Sequence, residues 1–195
     1  MQQRKRVLFI DRDGTLIKEA PPTYQLDAFE KLTFYPDVFK YMRCIATELD
    51  YELVMITNQD GLGTDVFPES SFWPVHNFVM ETFKNEAINF SEVLIDKTFP
   101  HEQAPTRKPG TGMVLHYMNN AGYDIGNSFV IGDRITDIQL AKNMGCKGIW
   151  LKEDAGLGAA EVSDEVAALE ANTVALSTLH WREIYGFLKK EKGGR

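Results

Sequence analysis

Short apolar runs that alternate with amphipathic segments are the feature that most constrains the fold of this chain. The runs predict buried strands at residues 6–10, 51–57, 92–95, 128–131 and 147–151. Buried strands that alternate with helices are typical of a parallel sheet covered by helices on both faces. We therefore predict an α/β fold of the Rossmann-like type.

Helical spacing of apolar residues indicates the segments between and after these strands. The predicted helices cover roughly residues 38–49, 74–87, 113–121, 138–144 and 181–190. Asp37 is placed to cap the first helix, and Gly122 and Gly145 are placed to end the third and fourth. Residues 152–164 are rich in Gly, Ala and acidic side chains, and predict a loop.

Length and charge limit the classes of function. A chain of 195 residues suits one domain, which we place at residues 1–190, with 191–195 as a flexible tail or linker. The net charge of −7 argues against nucleic acid or a membrane as partner, and no run reaches the roughly 20 apolar residues of a membrane span. Two widely separated cysteines, Cys44 and Cys146, indicate a reducing, cytoplasmic environment.

The first predicted strand runs directly into two carboxylates, Asp11 and Asp13, in the segment DRDGT. Ionised carboxylates are rarely buried without a partner, and ligands bind beyond the carboxyl ends of parallel strands. The pair could hold Mg²⁺, while Gly14 allows a turn that brings one side chain to a substrate. The alternative is an ordinary Asp-rich turn.

Further polar residues are predicted at the same edge of the sheet. Thr57 and Asn58 end the second strand and could bind phosphate oxygens, or form a simple turn. Lys108, in RKP, could neutralise a phosphate, or be a solvated basic residue. Asp133 could complete a metal site, and Asp137 could be an acid favoured by a helix start.

In chain order, these segments resemble the four motifs of the haloacid dehalogenase superfamily of phosphotransferases. DRDGT is similar to the first motif, ITN to the second, Lys108 in RKP to the third and GDRITD to the fourth. FIDRDGTLI, VMITNQDGLGT and VIGDRITDIQLA resemble more closely the histidinol-phosphate phosphatase family, which in some bacteria precedes a dehydratase domain. The resemblance implies a minimal cap and hydrolysis of L-histidinol phosphate, a small phosphorylated metabolite of histidine biosynthesis.

The resemblance also implies roles for individual residues. Asp11 is the expected nucleophile, which forms an aspartyl-phosphate, and Asp13 is the expected general acid and base. Thr57 and Lys108 are expected to hold the phosphoryl oxygens. The expected Mg²⁺ ligands are Asp11, the Asp13 backbone carbonyl and Asp133.

Four more residues have expected supporting roles. Asp137 is expected to orient Lys108 or metal-bound water from outside the first ligand sphere. Asn58 is expected to bind substrate, and so are Glu19 and Asp60, because the substrate carries a cationic amine.

One loop departs from the pattern of the family. Many members bind a structural zinc through four ligands before RKP, where this chain has Asp96, Thr98, Ala104 and Thr106. No thiolate or imidazole occupies these positions, so we expect no structural zinc. The dehydratase domain is also absent from the sequence, so the chain is either a freestanding phosphatase or a domain whose full-length parent continues into a dehydratase.

A sugar phosphatase of the heptose-bisphosphate type is the alternative function. A non-catalytic phospho-receiver would not need Asp13, and a phosphomutase would need a larger cap. A polynucleotide phosphatase would be expected to have a basic surface, which the net charge does not provide.

Overall fold

Six parallel strands form the sheet of this protein in the residues that the computed structural model describes, 4–152 and 164–193. The strands are β1 (Arg6–Ile10), β2 (Tyr51–Asn58), β3 (Glu92–Asp96), β4 (Phe129–Gly132), β5 (Lys147–Leu151) and β6 (Val174–Thr178). Their order across the sheet is β3-β2-β1-β4-β5-β6. The predicted Rossmann-like α/β fold is confirmed.

Helices cover both faces of the sheet. They are α1 (Val38–Glu48), α2 (Glu69–Asn85), α3 (Leu115–Met118), α4 (Ile135–Met144), α5 (Asp164–Thr173) and α6 (Trp181–Gly193). Alternate side chains of β1 point to opposite faces: Leu8 and Ile10 pack in a core with α1, α2 and α6, whereas Val7 and Phe9 pack with α3 and α4. In the described part of the chain, no helix has the length and apolar character needed to cross a membrane.

The order of the strands reverses at β1. The chain runs from β1 outward through β2 to β3, and then crosses to β4 on the other side of β1. Such a reversal leaves a crevice beyond the carboxyl ends of the two strands, β1 and β4, where ligands bind. The segment 18–35, between β1 and α1, contains one short 3-10 turn, Phe29–Lys31, and its residues 23–25 line the pocket at this crevice.

The structure corrects several of the predicted elements. α5 and β6 are not predicted from the sequence, and α2 begins at Glu69, ahead of Pro74, which lies inside the helix. The predicted helix at 113–121 is wrong beyond Met118, because α3 ends there, at the cap Asn119 and not at Gly122. A 3-10 turn, Gly112–Val114, precedes α3, and Gly112 N donates to Pro105 O in the preceding loop.

The predicted helix ends also need correction. Asp37 lies at the start of α1, but its side chain caps no backbone N–H, and its φ of 59° is left-handed. Gly145 ends α4 as predicted, with a φ of 76°. α6 continues to Gly193, beyond its predicted end. Of the predicted loop at 152–164, residues 153–163 lie outside the described residues.

Candidate active site

The carboxyl ends of the central strands bring the predicted polar residues to one edge of the sheet. Asp11 follows β1 and Asp133 follows β4, on the two sides of the crevice, and Thr57 lies near the end of β2. Asp11, Thr57 and Lys108 line an open pocket of about 860 Å³. Trp150 Nε1 donates to the backbone carbonyl of Asp133 at 2.8 Å and holds the residue at this edge.

Three buried or half-buried carboxylates form an acidic cluster beside Lys108. Asp11, Asp133 and Asp137 each offer an oxygen, and these oxygens lie within 4.8 Å of one another. Lys108 Nζ lies 2.7 Å from Asp11 Oδ1 and 2.8 Å from Asp137 Oδ1. One ammonium cannot balance three carboxylates, and carboxylate oxygens are the ligands that hard divalent cations prefer. The cluster therefore fits a cation such as Mg²⁺.

Glycines leave the space that this cluster needs. Gly14 has a φ of +77°, and a Cβ there would lie 2.2 Å from Asp133 Oδ2. A Cβ at Gly132 would lie 2.2 Å from Asp137 Oδ2. Real Cβ atoms do not approach so closely, so any larger residue would displace these two carboxylates.

The charge imbalance appears in the pKa values of the cluster. Burial, together with nearby Asp11 and Asp137, raises the pKa of Asp133 to about 9. Burial also raises the pKa of Asp11 to about 7, although Lys108 opposes this shift. For Lys108, burial lowers the pKa, but Asp11 and Asp137 outweigh burial and raise it above its ordinary value. Without a cation the cluster therefore retains protons near neutral pH, and Lys108 stays charged.

Lys108 is held through its backbone as well as its ammonium. Its Nζ donates to the carbonyl of Ile56 in β2 at 3.1 Å. Its N–H donates to Asn58 Oδ1 at 3.0 Å, and Asn58 Nδ2 donates back to the Lys108 carbonyl at 3.2 Å. The amide of Asn58 thus positions Lys108, and the expected contact between Asn58 and substrate stays a prediction.

Asp13 lies against two side chains that the sequence analysis did not identify. Arg12 Nη2 donates to Asp13 Oδ2 at 2.9 Å, and Gln59 Nε2 donates to the same oxygen at 2.6 Å. Thr57 Oγ1 lies 3.5 Å from Asp13 Oδ2, and Gln59 Nε2 donates to Thr57 Oγ1 at 2.8 Å. An arginine inside an otherwise buried motif was the available signal for Arg12, whereas nothing local distinguishes Gln59.

His76, in α2, completes the surroundings of Arg12. Burial, with the nearby Arg12 charge, lowers the pKa of His76 to about 4. The ring is therefore neutral near pH 7, and its Nδ1, 3.2 Å from Arg12 Nη1, can accept a hydrogen bond from the guanidinium.

The two acids expected to bind the substrate amine each pair with an arginine. Asp60 Oδ1 accepts from Arg107 Nη1 at 2.5 Å, at the edge of the pocket. Glu19 accepts from the guanidinium of Arg134. Asp60 therefore lies at the mouth of the pocket. Glu19 contacts Arg134, and Arg134 lines the pocket.

Solved structures share this architecture. The crystal structure of D,D-heptose 1.7-bisphosphate phosphatase from B. bronchiseptica, complexed with magnesium and phosphate, has a TM-score of 0.74. The match covers 96% of this chain and 99% of that chain, at 17% identity. At this identity the likeness shows the fold alone.

Sequence comparisons are more specific. A family model described as HAD-hydrolase-like matches residues 105–175. The histidine biosynthesis bifunctional protein HisB of Bacteroides fragilis is 51% identical over 185 residues, which are 95% of this chain and 48% of that protein. The protein of the same name from Spirosoma linguale is 51% identical over 187 residues, 95% of this chain and 49% of its own length. The chain belongs to the haloacid dehalogenase-like hydrolases. It spans about half the length of the curated relatives it matches.

The loop in which the resemblance to the histidinol-phosphate phosphatase family places zinc ligands is held here by hydrogen bonds to a buried carboxylate. Asp96 Oδ1 accepts from Thr98 N at 2.9 Å and from Thr98 Oγ1 at 2.5 Å, and Asp96 Oδ2 accepts from Thr106 Oγ1 at 2.6 Å. We call these three residues the Asp96 clasp. They occupy three of the four positions that the family resemblance assigns to zinc ligands, and they join the end of β3 to the segment before Lys108.

The clasp predicts how the loop responds to substitution. Thr106→Val keeps the shape of the side chain but removes the hydroxyl that bonds Asp96. Hydrogen bonds to charged groups contribute about 1.5–3 kcal/mol, so we expect the free energy of unfolding to fall by about that amount, and by less in Thr106→Ser. Urea denaturation measures both variants.

A zinc-selective chelator should leave the Tm of the wild type unchanged, and a fall in Tm would contradict a zinc-free loop.

The protons on the acidic cluster predict a pH-dependent response to Mg²⁺. The pKa values of Asp133 and Asp11 lie above the ordinary value of 3.8, so the metal-free fold loses stability as the pH rises from about 4 toward 9. Mg²⁺ must displace these protons at low pH, and meets ionised carboxylates at high pH. We expect the increase in Tm caused by Mg²⁺ to be larger near pH 9 than near pH 6. Equal increases in thermal melts at the two pH values would contradict the protonated cluster.

Proposed function

We propose that this chain is a Mg²⁺-dependent phosphomonoesterase that hydrolyses L-histidinol phosphate to L-histidinol and phosphate through an aspartyl-phosphate. The observation that carries the proposal is the pairing of Asp11 with Lys108 beside the acidic cluster, at an open pocket that Asp13 also lines. Relatives at 51% identity are named histidine biosynthesis proteins, which supports the choice of substrate.

In this proposal Asp11 attacks phosphorus and Lys108 stabilises the transferring group. Lys108 Nζ, 2.7 Å from Asp11 Oδ1, places a fixed positive charge beside the attacking oxygen. The hydroxyl of Thr57 offers a donor at the same edge. Asp137 keeps the ammonium in place from the opposite side. Mg²⁺, held by Asp11, Asp133 and the Asp13 backbone carbonyl, would supply the positive charge that lets a carboxylate approach a phosphate.

Asp13 acts as the acid and then as the base. As the oxygen of Asp11 bonds to phosphorus, the bond from phosphorus to the leaving oxygen breaks, and that oxygen takes the proton of Asp13. The Asp13 carboxylate then removes a proton from a water that attacks the aspartyl-phosphate. Phosphate leaves, Asp11 is regenerated as a carboxylate and Asp13 is again protonated.

Paired charges line the mouth of the pocket. Arg107 pairs with Asp60, and Arg134 pairs with Glu19. Asp60 itself lines the pocket and offers an acid to the cationic amine of histidinol phosphate. The names of the 51% identical relatives support histidinol phosphate over the alternative, a heptose bisphosphate.

The proposal includes the context expected from the sequence. One phosphatase domain spans residues 1–190, residues 191–195 are a tail or linker whose first three residues still belong to α6, and the enzyme acts in the cytoplasm. The word "bifunctional" in the names of the relatives, and the match to about half their length, support fusion to a dehydratase domain in a longer parent protein.

A panel of phosphate esters tests the proposed substrate. Phosphate release would be measured with Mg²⁺ for histidinol phosphate, a heptose bisphosphate and a nucleoside monophosphate. We expect kcat/KM to be higher for histidinol phosphate by about tenfold or more, and EDTA to abolish turnover. Faster hydrolysis of the bisphosphate would support the alternative instead.

The proposed nucleophile gives a second test. Asp11→Asn replaces the attacking oxygen with a poorly nucleophilic amide, so we expect kcat to fall by about 10³-fold or more with saturating Mg²⁺. Asp50→Asn is the matched control, because Asp50 precedes β2 at the opposite edge of the sheet, and its kcat should be unchanged. If Asp11→Asn keeps more than about a tenth of the wild-type kcat, Asp11 is not the nucleophile.

A further inference from the structure

Arg12 is a fully buried cation with an unusual set of partners. The side chain is 0% exposed. Its Nη2 donates to Asp13 and, at 2.9 Å, to Gln59 Oε1, and its Nη1 meets His76 Nδ1. Its guanidinium carbon lies 5.0 Å from the centre of the Phe72 ring. A buried charge is costly unless such partners surround it, so the position of Arg12 is strongly determined.

Gln59 closes a ring of contacts with Arg12 and Asp13. A guanidinium only donates, and the Asp13 oxygen that faces Gln59 accepts, so the amide of Gln59 has one favourable orientation. Its Oε1 faces Arg12, and its Nε2 donates to Asp13 Oδ2 at 2.6 Å. Gln59 is 4% exposed and has little freedom to turn away. Each of the three side chains therefore contacts the other two.

We propose that Gln59 and Arg12 are positioning residues that hold the Asp13 carboxyl group where it can protonate the leaving oxygen. This inference rests on the proposed function, in which Asp13 is the general acid. Phe72 and His76 both belong to α2, so this helix, outside the pocket, anchors the acid through Arg12. In the described hydrogen bonds neither residue contacts the acidic cluster or Lys108, and Gln59 contacts one other site residue, Thr57 Oγ1, at 2.8 Å. We therefore expect them to act on proton transfer and not on the nucleophile.

The leaving group of the substrate tests this inference. An alkyl phosphate, histidinol phosphate, needs a proton on its leaving oxygen, whereas para-nitrophenyl phosphate needs little help. The value of kcat/KM reports transfer to Asp11, before water attacks. In Gln59→Met, which keeps the length of the side chain but loses the amide, we expect kcat/KM for the alkyl ester to fall about 10- to 100-fold. We expect the value for the aryl ester to change less than about threefold.

Control variants separate positioning from general damage. Asp13→Asn should show the same selectivity to a greater degree. Gln139→Met makes the same chemical change in α4, outside the active-site pocket, and should leave the ratio of the two kcat/KM values unchanged. Gln59→Glu keeps the shape but places a carboxylate against Asp13 instead of a donor, and should also slow the alkyl ester selectively. Retained hydrolysis of the aryl ester shows that each variant is folded.

The outcomes distinguish this inference from the function on which it rests. If the wild type hydrolyses neither ester with Mg²⁺, the proposed function fails. If the wild type is active but both Gln59 variants slow the two esters equally, the function stands and the positioning role of Gln59 is overturned.

Discussion

A buried ammonium among buried carboxylates is the constraint on which the rest of this structure depends. Breaking a buried ion pair by removing one partner costs about 3–5 kcal/mol, so Lys108, Asp11 and Asp137 must remain together. They come from the loop after β3, the end of β1 and the first turn of α4, and the carbonyl of Ile56 adds β2. An open parallel sheet satisfies this requirement because the carboxyl ends of its central strands meet at one edge.

The same geometry explains which elements could be predicted from the sequence. β1 and β4 are buried along their whole length and appear in the sequence as continuous apolar runs. β6, at the edge of the sheet, alternates between half-buried and exposed residues, and its sequence VALST lacks such a run. Before α3 the chain forms a 3-10 turn at Gly112–Val114, where Gly110 and Gly112 pack closely on the backbone of Pro105. The spacing of apolar residues along the sequence indicates which residues are buried. Burial alone determines neither β6 nor the turn before α3.

Some side chains of the candidate site could likewise be predicted from the sequence, and others could not. Asp11, Thr57 and Asp133 could be predicted because each lies at the end of a recognisable strand, and Lys108 because its motif comes in the expected order. The roles of Arg12 and Gln59 could not be predicted, since they depend on partners in α2 and on the orientation of an amide. The arginine partners of Glu19 and Asp60 were missed for the same reason: each pair joins segments that are distant in sequence.

The surroundings of its carboxylates also determine where this chain can hold a cation. In the Asp96 clasp, both oxygens of Asp96 accept hydrogen bonds from neutral donors, so a cation there would have to displace three well-formed bonds. In the acidic cluster, the carboxylates share one ammonium, and burial raises the pKa values of Asp133 and Asp11, so a divalent cation can replace protons there. Hydrogen-bond donors thus satisfy the carboxylate in this loop. Unbalanced negative charge lies instead on the carboxylate oxygens beside the proposed nucleophile. In the described structure, this is the one place where a hard cation would assist attack on a phosphate.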